Sequence, residues 1–251
     1  DNCTFVNSIA RTTKNGGAVY MGTNPRANFA VNPVISNCLV INCTQGNRGA
    51  INLLGINLTV VNNTFINITG TGGDTDGFRA LEIENGLGAL ILNNTFINCS
   101  GNGNGGGARV LAGENITVAN NTFIDCHNTR SGGGFYSGAK GFQIFENNTF
   151  INNSGQKDGG AAAFTNLVTS FKNNTFINNS VVVQNSPGGA VAVVANTFID
   201  NSTFINNSAT LNNGGAVYAS GTLTVNNSYF ENNHANNTGG AIRVYNGNLK
   251  V

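Results

Sequence analysis

The chain has 251 residues and carries 12 basic and 11 acidic side chains, so its formal net charge is +1. This near balance excludes the basic footprint of a nucleic-acid-binding or anionic-membrane-binding protein. Charged residues are 9% of the chain, whereas Asn supplies 48 residues and Gly 34. Both are poor helix formers, and no apolar run is long enough for a membrane-spanning helix. Composition therefore favours an all-β chain rich in turns.

One hexapeptide, Asn-Asn-Thr-Phe-Ile-Asn, recurs along the chain. Its close copies occupy residues 62–67, 93–98, 120–125, 147–152 and 173–178, and looser copies begin at Asn2, Asn37, Asn201 and Asn226. From Phe5 in the first copy to Tyr229 in the last, the mean period is 28 residues. Self-similarity at this period indicates a solenoid, whereas an antiparallel sandwich gives no reason for such a repeat.

Each repeat contains three short strand signals. One follows a Gly-Gly-Ala phrase, as at 16–19, 214–217 and 239–242; one precedes Asn-Asn; the third is Thr-Phe-Ile. Asn and Gly between them tolerate the left-handed backbone of tight corners. We predict an all-β, right-handed single-stranded parallel β-helix of about nine rungs of about 28 residues, with three strands per rung. Residues 1–251 would form one repeat domain, and its uncapped ends suggest a fragment of a longer array.

Alternation along Thr-Phe-Ile assigns the Phe to the core and its two neighbours to the surface. The predicted core ladder comprises Phe5, Phe65, Phe96, Phe123, Phe150, Phe176, Phe204 and Tyr229. The predicted contact face comprises Thr64, Ile66, Thr95, Ile97, Thr122, Ile124, Thr149, Ile151, Thr175 and Ile177. An exposed stripe of this length indicates lateral packing or adhesion, unless corner geometry turns the Ile inward or a loop covers it. A regular Thr ladder also raises the hypothesis of ice binding.

Both phrases resemble the Gly-Gly-Ala-[Ile/Leu/Val] and Phe-x-x-Asn repeats of the polymorphic outer-membrane protein family and of adhesin-like surface β-helices. Residues 16–19, 214–217 and 239–242 match the first motif, and Phe150 to Asn153 and Phe176 to Asn179 match the second. The resemblance covers the whole chain and implies a surface-exposed stalk or adhesive rod. Its motifs are mainly structural, so they indicate the fold more strongly than an activity.

The five cysteines recur at equivalent repeat positions. Cys3 and Cys38 share one position, and Cys99 and Cys126 share another on successive rungs. Stacked α-carbons lie within disulfide range, so these two pairs are candidate disulfides. A column of reduced, buried thiols is the alternative.

By our count the chain contains 17 Asn-x-Ser/Thr sequons. Six are singled out as glycosylation candidates: Asn57, Asn62, Asn115, Asn147, Asn206 and Asn226. A sequon in a secreted chain indicates a glycan acceptor on a surface loop. The Asn-Asn corners can instead form a buried amide ladder, and a laddered amide has no room for a sugar.

Two clusters offer side chains for catalysis or metal binding. The first contains Asp74, Asp76, Glu82 and Glu84 with Arg79 between them, and Asp74-Thr75-Asp76-Gly77 resembles the start of a calcium loop that lacks the later ligands. Asp74, Asp76 and Glu82 are thus weak Ca²⁺ candidates. The second contains Asp125, His127 and Arg130. Acidic residues do not recur in register, which argues against a sugar-cleaving groove; we expect neither a cofactor nor a catalytic residue.

The combined pattern favours a non-enzymatic, extracellular or cell-surface β-helix that mediates adhesion or self-assembly. Its expected partners are surface glycans, other surface proteins or copies of itself, without nucleic acid and without a membrane span in this segment. A polysaccharide-binding or polysaccharide-cleaving β-helix is the first alternative, and an ice-binding solenoid is the second.

Overall fold

A computed structural model describes residues 1–10, 16–22, 30–45, 48–70, 77–166, 168, 170–183, 187–211 and 213–251. The described residues form β-strands and turns without a helix. The chain winds through four strands in each rung, and equivalent strands of successive rungs pair in parallel.

The four sheets are named A to D in the order in which the chain first enters them. Sheet A comprises Thr4–Val6, Leu39–Ile41, Thr64–Ile66, Thr95–Ile97, Thr122–Ile124, Thr149–Ile151, Thr175–Ile177, Thr203–Ile205 and Tyr229–Glu231. Sheet B comprises Ile9–Ala10, Thr44–Gln45, Thr69–Gly70, Ser100–Gly101, His127–Asn128, Ser154–Gly155, Ser180–Val181, Ser208–Ala209 and His234–Ala235. Sheet C comprises Val19–Met21, Arg48–Ile56, Phe78–Leu87, Ala108–Val110, Phe135–Ser137, Ala162–Phe164, Val191–Val193, Val217–Ser220 and Ile242–Tyr245, with Ala30–Val31 beside Arg48–Ile56. Sheet D comprises Val34–Ser36, Thr59–Val61, Leu90–Leu92, Glu114–Ala119, Lys140–Glu146, Ser170–Lys172, Thr197–Asp200, Leu223–Asn226 and Leu249–Lys250.

The predicted all-β parallel solenoid is confirmed, with nine strands stacked along the main path of each sheet. Seven of these layers have a neighbour on both sides, and the first and last have one. The prediction of three strands per rung is wrong, because sheet B adds a fourth. Its strands are two residues long, which is too short to leave a strand pattern in the sequence.

Stacked phenylalanines fill the core under sheet A. From Phe65 to Phe204 each ring is fully buried, and successive rings lie parallel with centroids 4.5–5.0 Å apart. Phe5 is half-buried in the first rung, and Val40 takes this position in the second. Because successive rungs from Phe65 to Phe204 present the same side chain at the same height, the stack fixes the register of these strands.

The placement of Tyr229 in the core ladder is wrong. Strand pairing aligns Phe204 with Phe230 and Thr203 with Tyr229, so Phe230 continues the ring stack at 4.7 Å. Tyr229 is 55% exposed and donates a hydrogen bond to Glu231. The last copy is shifted by one residue because its left-handed corner is Asn227, not Asn226.

The Gly-Gly phrase forms the corner that leads into sheet C. In the copy at 188–189, Gly188 has a φ of +81°, which favours glycine. A Cβ on Gly189 would lie 2.0 Å from the carbonyl oxygen of Gly215 in the next rung. The first glycine therefore makes the turn. The second glycine has no Cβ, and this allows the backbones of two successive rungs to lie in direct contact.

Candidate functional site

The outer surface of sheet A is a flat face built from two columns of side chains. Thr occupies the first column in six consecutive rungs, from Thr64 to Thr203, and each pairs in register with the next. Ile occupies the second column in seven rungs, from Ile41 to Ile205. Both columns are half-buried while the Phe between them is buried. The corners therefore do not turn the Ile inward.

A left-handed residue stands at each edge of this face, two residues before and one residue after every sheet A strand. We call these residues the edge asparagines. Their φ angles cluster near +54°, as at Asn62 (58°), Asn67 (54°) and Asn152 (56°). The preceding row is Asn2, Asn37, Asn62, Asn93, Asn120, Asn147, Asn173, Asn201 and Asn227, and the following row is Asn7, Asn42, Asn67, Asn98, Asp125, Asn152, Asn178, Asn206 and Asn232. Asn suits these sites because its short polar side chain tolerates this region better than other non-glycine residues do.

From the second rung to the eighth, the residue after each edge asparagine points inward, which creates two inner columns. In the first inner column, before sheet A, the buried amides of Asn63, Asn94, Asn121, Asn148 and Asn174 form a ladder. From Asn63 to Asn148, each Nδ2 donates to the Asn Oδ1 of the next rung at 3.0–3.1 Å. Each Oδ1 also accepts from the backbone N–H of the rung before, as from Asn63 to Asn94 at 3.0 Å. The ladder therefore satisfies backbone groups that the corner would leave unpaired.

The second inner column, after sheet A, changes composition along the rod. Asn153, Asn179, Asn207 and Asn233 form a second amide ladder with steps of 3.0 Å. Earlier rungs place Cys43, Ile68, Cys99 and Cys126 at the same position, all fully buried. The Cys99 thiol lies 3.8 Å from the carbonyl oxygen of Phe65, and the Cys126 thiol 3.7 Å from that of Phe96.

All five cysteines are free thiols in the structure. Cys3 is exposed and Cys38 is buried, and each thiol lies near the carbonyl oxygen two residues before it. Burial raises the pKa of the Cys99 thiol well above its ordinary value, and the adjoining Cys126 thiol adds to this rise. The cysteines of each candidate pair, Cys3 with Cys38 and Cys99 with Cys126, thus lie on successive rungs as the period predicts. Their thiols are not joined by a disulfide in the structure.

The structure separates the sequon asparagines from the ladder asparagines. Asn57, Asn62, Asn115, Asn147, Asn206 and Asn226 are all exposed. The other sequon asparagines are exposed as well: Asn2, Asn42, Asn67, Asn93, Asn98, Asn120, Asn152, Asn173, Asn178, Asn201 and Asn236. In each Asn-Asn-Thr corner, the first Asn is the sequon residue and lies at the surface. The second Asn is buried and belongs to the amide ladder.

The acidic cluster forms no cation site among the described residues. Glu82 is fully buried on sheet C between Arg79 and Arg109, and Arg109 contacts both its carboxylate oxygens at 2.8–3.0 Å. Glu84 pairs with Arg48. The interpretation of Glu82 as a Ca²⁺ ligand is wrong, because its oxygens are engaged by guanidinium groups. Asp74 and Asp76 lie outside the described residues, and the described part of the chain contains no group of three metal-ligating side chains.

A groove of about 720 Å³ runs along sheet B beside the following row of edge asparagines. Hydroxyl, amide and imidazole side chains line it, among them Thr69, Ser100, His127 and Ser154. His127 Nδ1 lies 2.8 Å from Ser154 Oγ in the next rung. Apart from His127, the described lining carries no ionisable side chain. The groove can therefore offer neutral hydrogen-bonding groups at the spacing of the rungs.

Comparison with known proteins supports the fold. Residues 74–198 match the family model described as "Right handed beta helix region". No curated protein and no solved structure matches the chain significantly. None of the described residues forms a helix with the length and apolarity that a bilayer crossing requires.

Proposed function

We propose that this right-handed parallel β-helix is a non-enzymatic structural module of an extracellular surface protein, and that the outer face of sheet A makes its contacts. The observation that supports this proposal is the uninterrupted, in-register Thr and Ile columns over rungs whose Phe side chains are buried. A flat, regular apolar stripe on a rigid support is typical of an interaction surface. The resemblance to polymorphic outer-membrane and adhesin-like repeats supports the same assignment.

The partner we propose for this face is a second copy of the chain. Eight steps of about 4.8 Å between the nine rungs, and five residue steps of about 3.3 Å between the edge rows, give a face of about 38 by 17 Å. That area, about 650 Å², is slightly below the about 800 Å² per partner of a standard interface. Two copies of this segment should therefore associate weakly, and a rod with more rungs should associate more strongly.

Sedimentation velocity over a wide concentration range tests this proposal. The informative variant is Ile151→Lys, which places a charge at the centre of sheet A. Its matched control is Ile144→Lys, because Ile144 lies in the same rung on the outer surface of sheet D and is 38% exposed. We expect the wild-type protein and I144K to sediment faster as concentration rises, and I151K to remain monomeric. A wild-type chain that stays monomeric throughout, or equal behaviour of the two variants, would refute the contact face.

The absence of catalysis is part of the same proposal. Its support is the state of Glu82, whose carboxylate is fully buried and bound by Arg79 and Arg109, so that it is closed to a substrate proton. Incubation with a broad panel of polysaccharides tests it. Turnover that E82Q abolishes without unfolding the protein would contradict it.

Polysaccharide binding in the sheet B groove is the second candidate function. Its support is the neutral, hydroxyl-rich lining around His127 and Ser154. Binding of neutral oligosaccharides, measured by calorimetry, should weaken in His127→Ala and persist in I151K. A heat of binding that H127A leaves unchanged would place the ligand elsewhere.

Ice binding is a third use of the Thr column, favoured by its in-register repeat over six rungs. Thermal hysteresis at millimolar protein tests it. A freezing point equal to the melting point would remove this hypothesis without affecting the other two.

A further inference from the structure

We infer that the two rows of edge asparagines are N-glycan acceptor sites, and that their occupancy decides whether the face of sheet A is open for contact. The acceptor assignment stands on exposure and backbone conformation. The regulatory half rests on the proposed function, because it requires that sheet A makes the contact.

In each Asn-Asn corner of sheet A, only one of the two asparagines is exposed and can accept a glycan. All 17 sequon asparagines are exposed, and 15 of them have positive φ. Asn148 and Asn179 show the opposite state: they are 0% exposed and their amides are bound within the ladders. Neither is a sequon residue, because a non-hydroxyl residue stands two positions later. Within the pair 147–148, the sequon therefore falls on the Asn that can accept a sugar without breaking the core.

Thirteen of the 17 acceptors lie along the two edges of sheet A. The preceding row contributes Asn2, Asn62, Asn93, Asn120, Asn147, Asn173 and Asn201, and the following row contributes Asn42, Asn67, Asn98, Asn152, Asn178 and Asn206. These rows are about 17 Å apart across the strand. Glycans are bulky and hydrophilic, so sugars on both rows would stand on either side of the Thr and Ile columns. A second flat rod could not then reach them.

The edge amides are available to a transferase at little cost. Asn62, Asn98 and Asn201 donate from Nδ2 to the edge asparagine of the preceding rung at 3.2, 2.9 and 2.7 Å, in exposed positions. An exposed hydrogen bond of this kind is exchanged for water with a small net change in free energy. The buried ladder bonds remain intact when the edge amide is modified.

The modification joins Nδ2 of the edge asparagine to the anomeric carbon of a sugar. The sugar comes from a lipid-linked phosphate or pyrophosphate donor, whose phosphate leaves with the bonding electron pair while Nδ2 loses one proton. Successive acceptors in a row are one rung apart, and stacked rings place that spacing at 4.5–5.0 Å. Bulky glycans at this spacing collide, so we expect occupied sites to alternate along each row.

The experiment compares the same 251-residue chain from two hosts, a secretory host that glycosylates sequons and a cytosol that does not. Glycopeptide mapping identifies the occupied asparagines, and sedimentation velocity measures association. We expect glycans on both edge rows, a monomeric glycosylated chain, and concentration-dependent association of the unglycosylated chain. Asn57, Asn115 and Asn236 are internal controls, because their sequons lie away from the edges of sheet A.

Two results would overturn the inference. Glycans on the three control asparagines but not on the edge rows would refute the acceptor assignment. Glycosylated edges with undiminished association would refute the regulatory role. Association of neither form would instead contradict the proposed function, while the glycopeptide map would still decide the acceptor rows.

A matched pair of variants separates glycan from side-chain effects. Thr122 is both the hydroxyl residue of the Asn120 sequon and a member of the contact face. Thr122→Ser keeps the sequon and removes the outward methyl group, whereas Thr122→Val keeps the shape and removes the sequon. We expect the Asn120 glycan to persist in T122S and to vanish in T122V. Ser180→Ala removes the Asn178 sequon from sheet B without touching sheet A, and the glycan at Asn178 should vanish with sheet A unchanged.

Discussion

The residue type in the second inner column differs between two regions of the rod. The corner after sheet A contains mainly cysteine in the earlier rungs and asparagine from Asn153 onward. From Asn153 onward each amide connects three rungs: Asn179 accepts from the backbone and side chain of Asn153 and donates to Phe150 and Asn207. In the earlier rungs Cys99 and Cys126 occupy the same place, and their thiols lie 3.7–3.8 Å from the Phe carbonyl oxygen of the preceding rung and 3.5 Å from the carbonyl oxygen two residues earlier in their own rung. A thiol is a weak donor and a weak acceptor.

Both regions nevertheless share the same backbone. The left-handed edge residue is present at Asn98 (50°) in the cysteine region and at Asn178 (56°) in the asparagine region. The edge residue therefore makes the corner, and the amide ladder adds stability to a corner that exists without it. We expect the asparagine region to be the more stable part of the rod.

The largest expected effect is the loss of one ladder amide. Asn179→Ala removes four hydrogen bonds to neighbouring rungs. Asn153 Nδ2 and Asn207 Oδ1 keep a second partner, but the buried backbone N–H of Asn153 loses its acceptor, and a buried unpaired group costs about 1–3 kcal/mol. We expect a loss of at least about 3 kcal/mol for N179A and about 1 kcal/mol for the matched Cys99→Ala. Urea unfolding measures both. Equal losses would erase the distinction between the two regions.

A smaller effect is expected from exchanging the two residue types at their boundary. Cys126→Asn should extend the ladder by one step towards Phe96, with a gain of about 1 kcal/mol for the added hydrogen bonds. The reverse exchange, Asn153→Cys, should lower stability and expose the amide of Cys126 to solvent exchange. Hydrogen exchange at that amide, now bound to Asn153 Oδ1 at 3.0 Å, provides the readout. A destabilised C126N would show that the cysteines are preferred for their packing.

The smallest effect is a pH dependence confined to the cysteine region. Because burial and the Cys126 thiol raise the pKa of Cys99 in the fold, its stabilising contribution is present below the pKa of an unfolded thiol, about 8.5. It declines as pH rises through that value towards the higher folded pKa, since only the unfolded chain then ionises. Unfolding midpoints at pH 7 and pH 9.5 should differ more in the wild type than in Cys99→Ala. An equal difference in both proteins would assign the pH effect to another group.

The repeat predicted the fold because each rung is short and nearly identical. The Phe of Asn-Asn-Thr-Phe-Ile-Asn marks a buried position in every close copy, and its neighbours face outward as the period-2 pattern requires. In the last copy this pattern led to the wrong core residue, because Ser228-Tyr229-Phe230 contains two adjacent aromatic residues and only one of them can occupy the core position. Only the pairing with Phe204 selects Phe230.

The site was predictable in outline but not in its partners. The two asparagines of a corner are chemically identical, so the sequence could not tell which of Asn147 and Asn148 is exposed; the left-handed φ of the first decides it. Glu82 looked like an open carboxylate because Arg109, its partner, is 27 residues away in the chain. Contacts of that range become visible only once the rungs are stacked.

The amide ladders join residues that are 26 to 31 positions apart in the chain. That separation stays close to the length of one rung at every step and does not grow with the length of the rod. Each rung therefore needs only its immediate predecessor as a template, and the cost of closing the chain is the same for each new rung. Such a molecule can fold vectorially, one turn at a time, while the rest of its polypeptide is still being supplied.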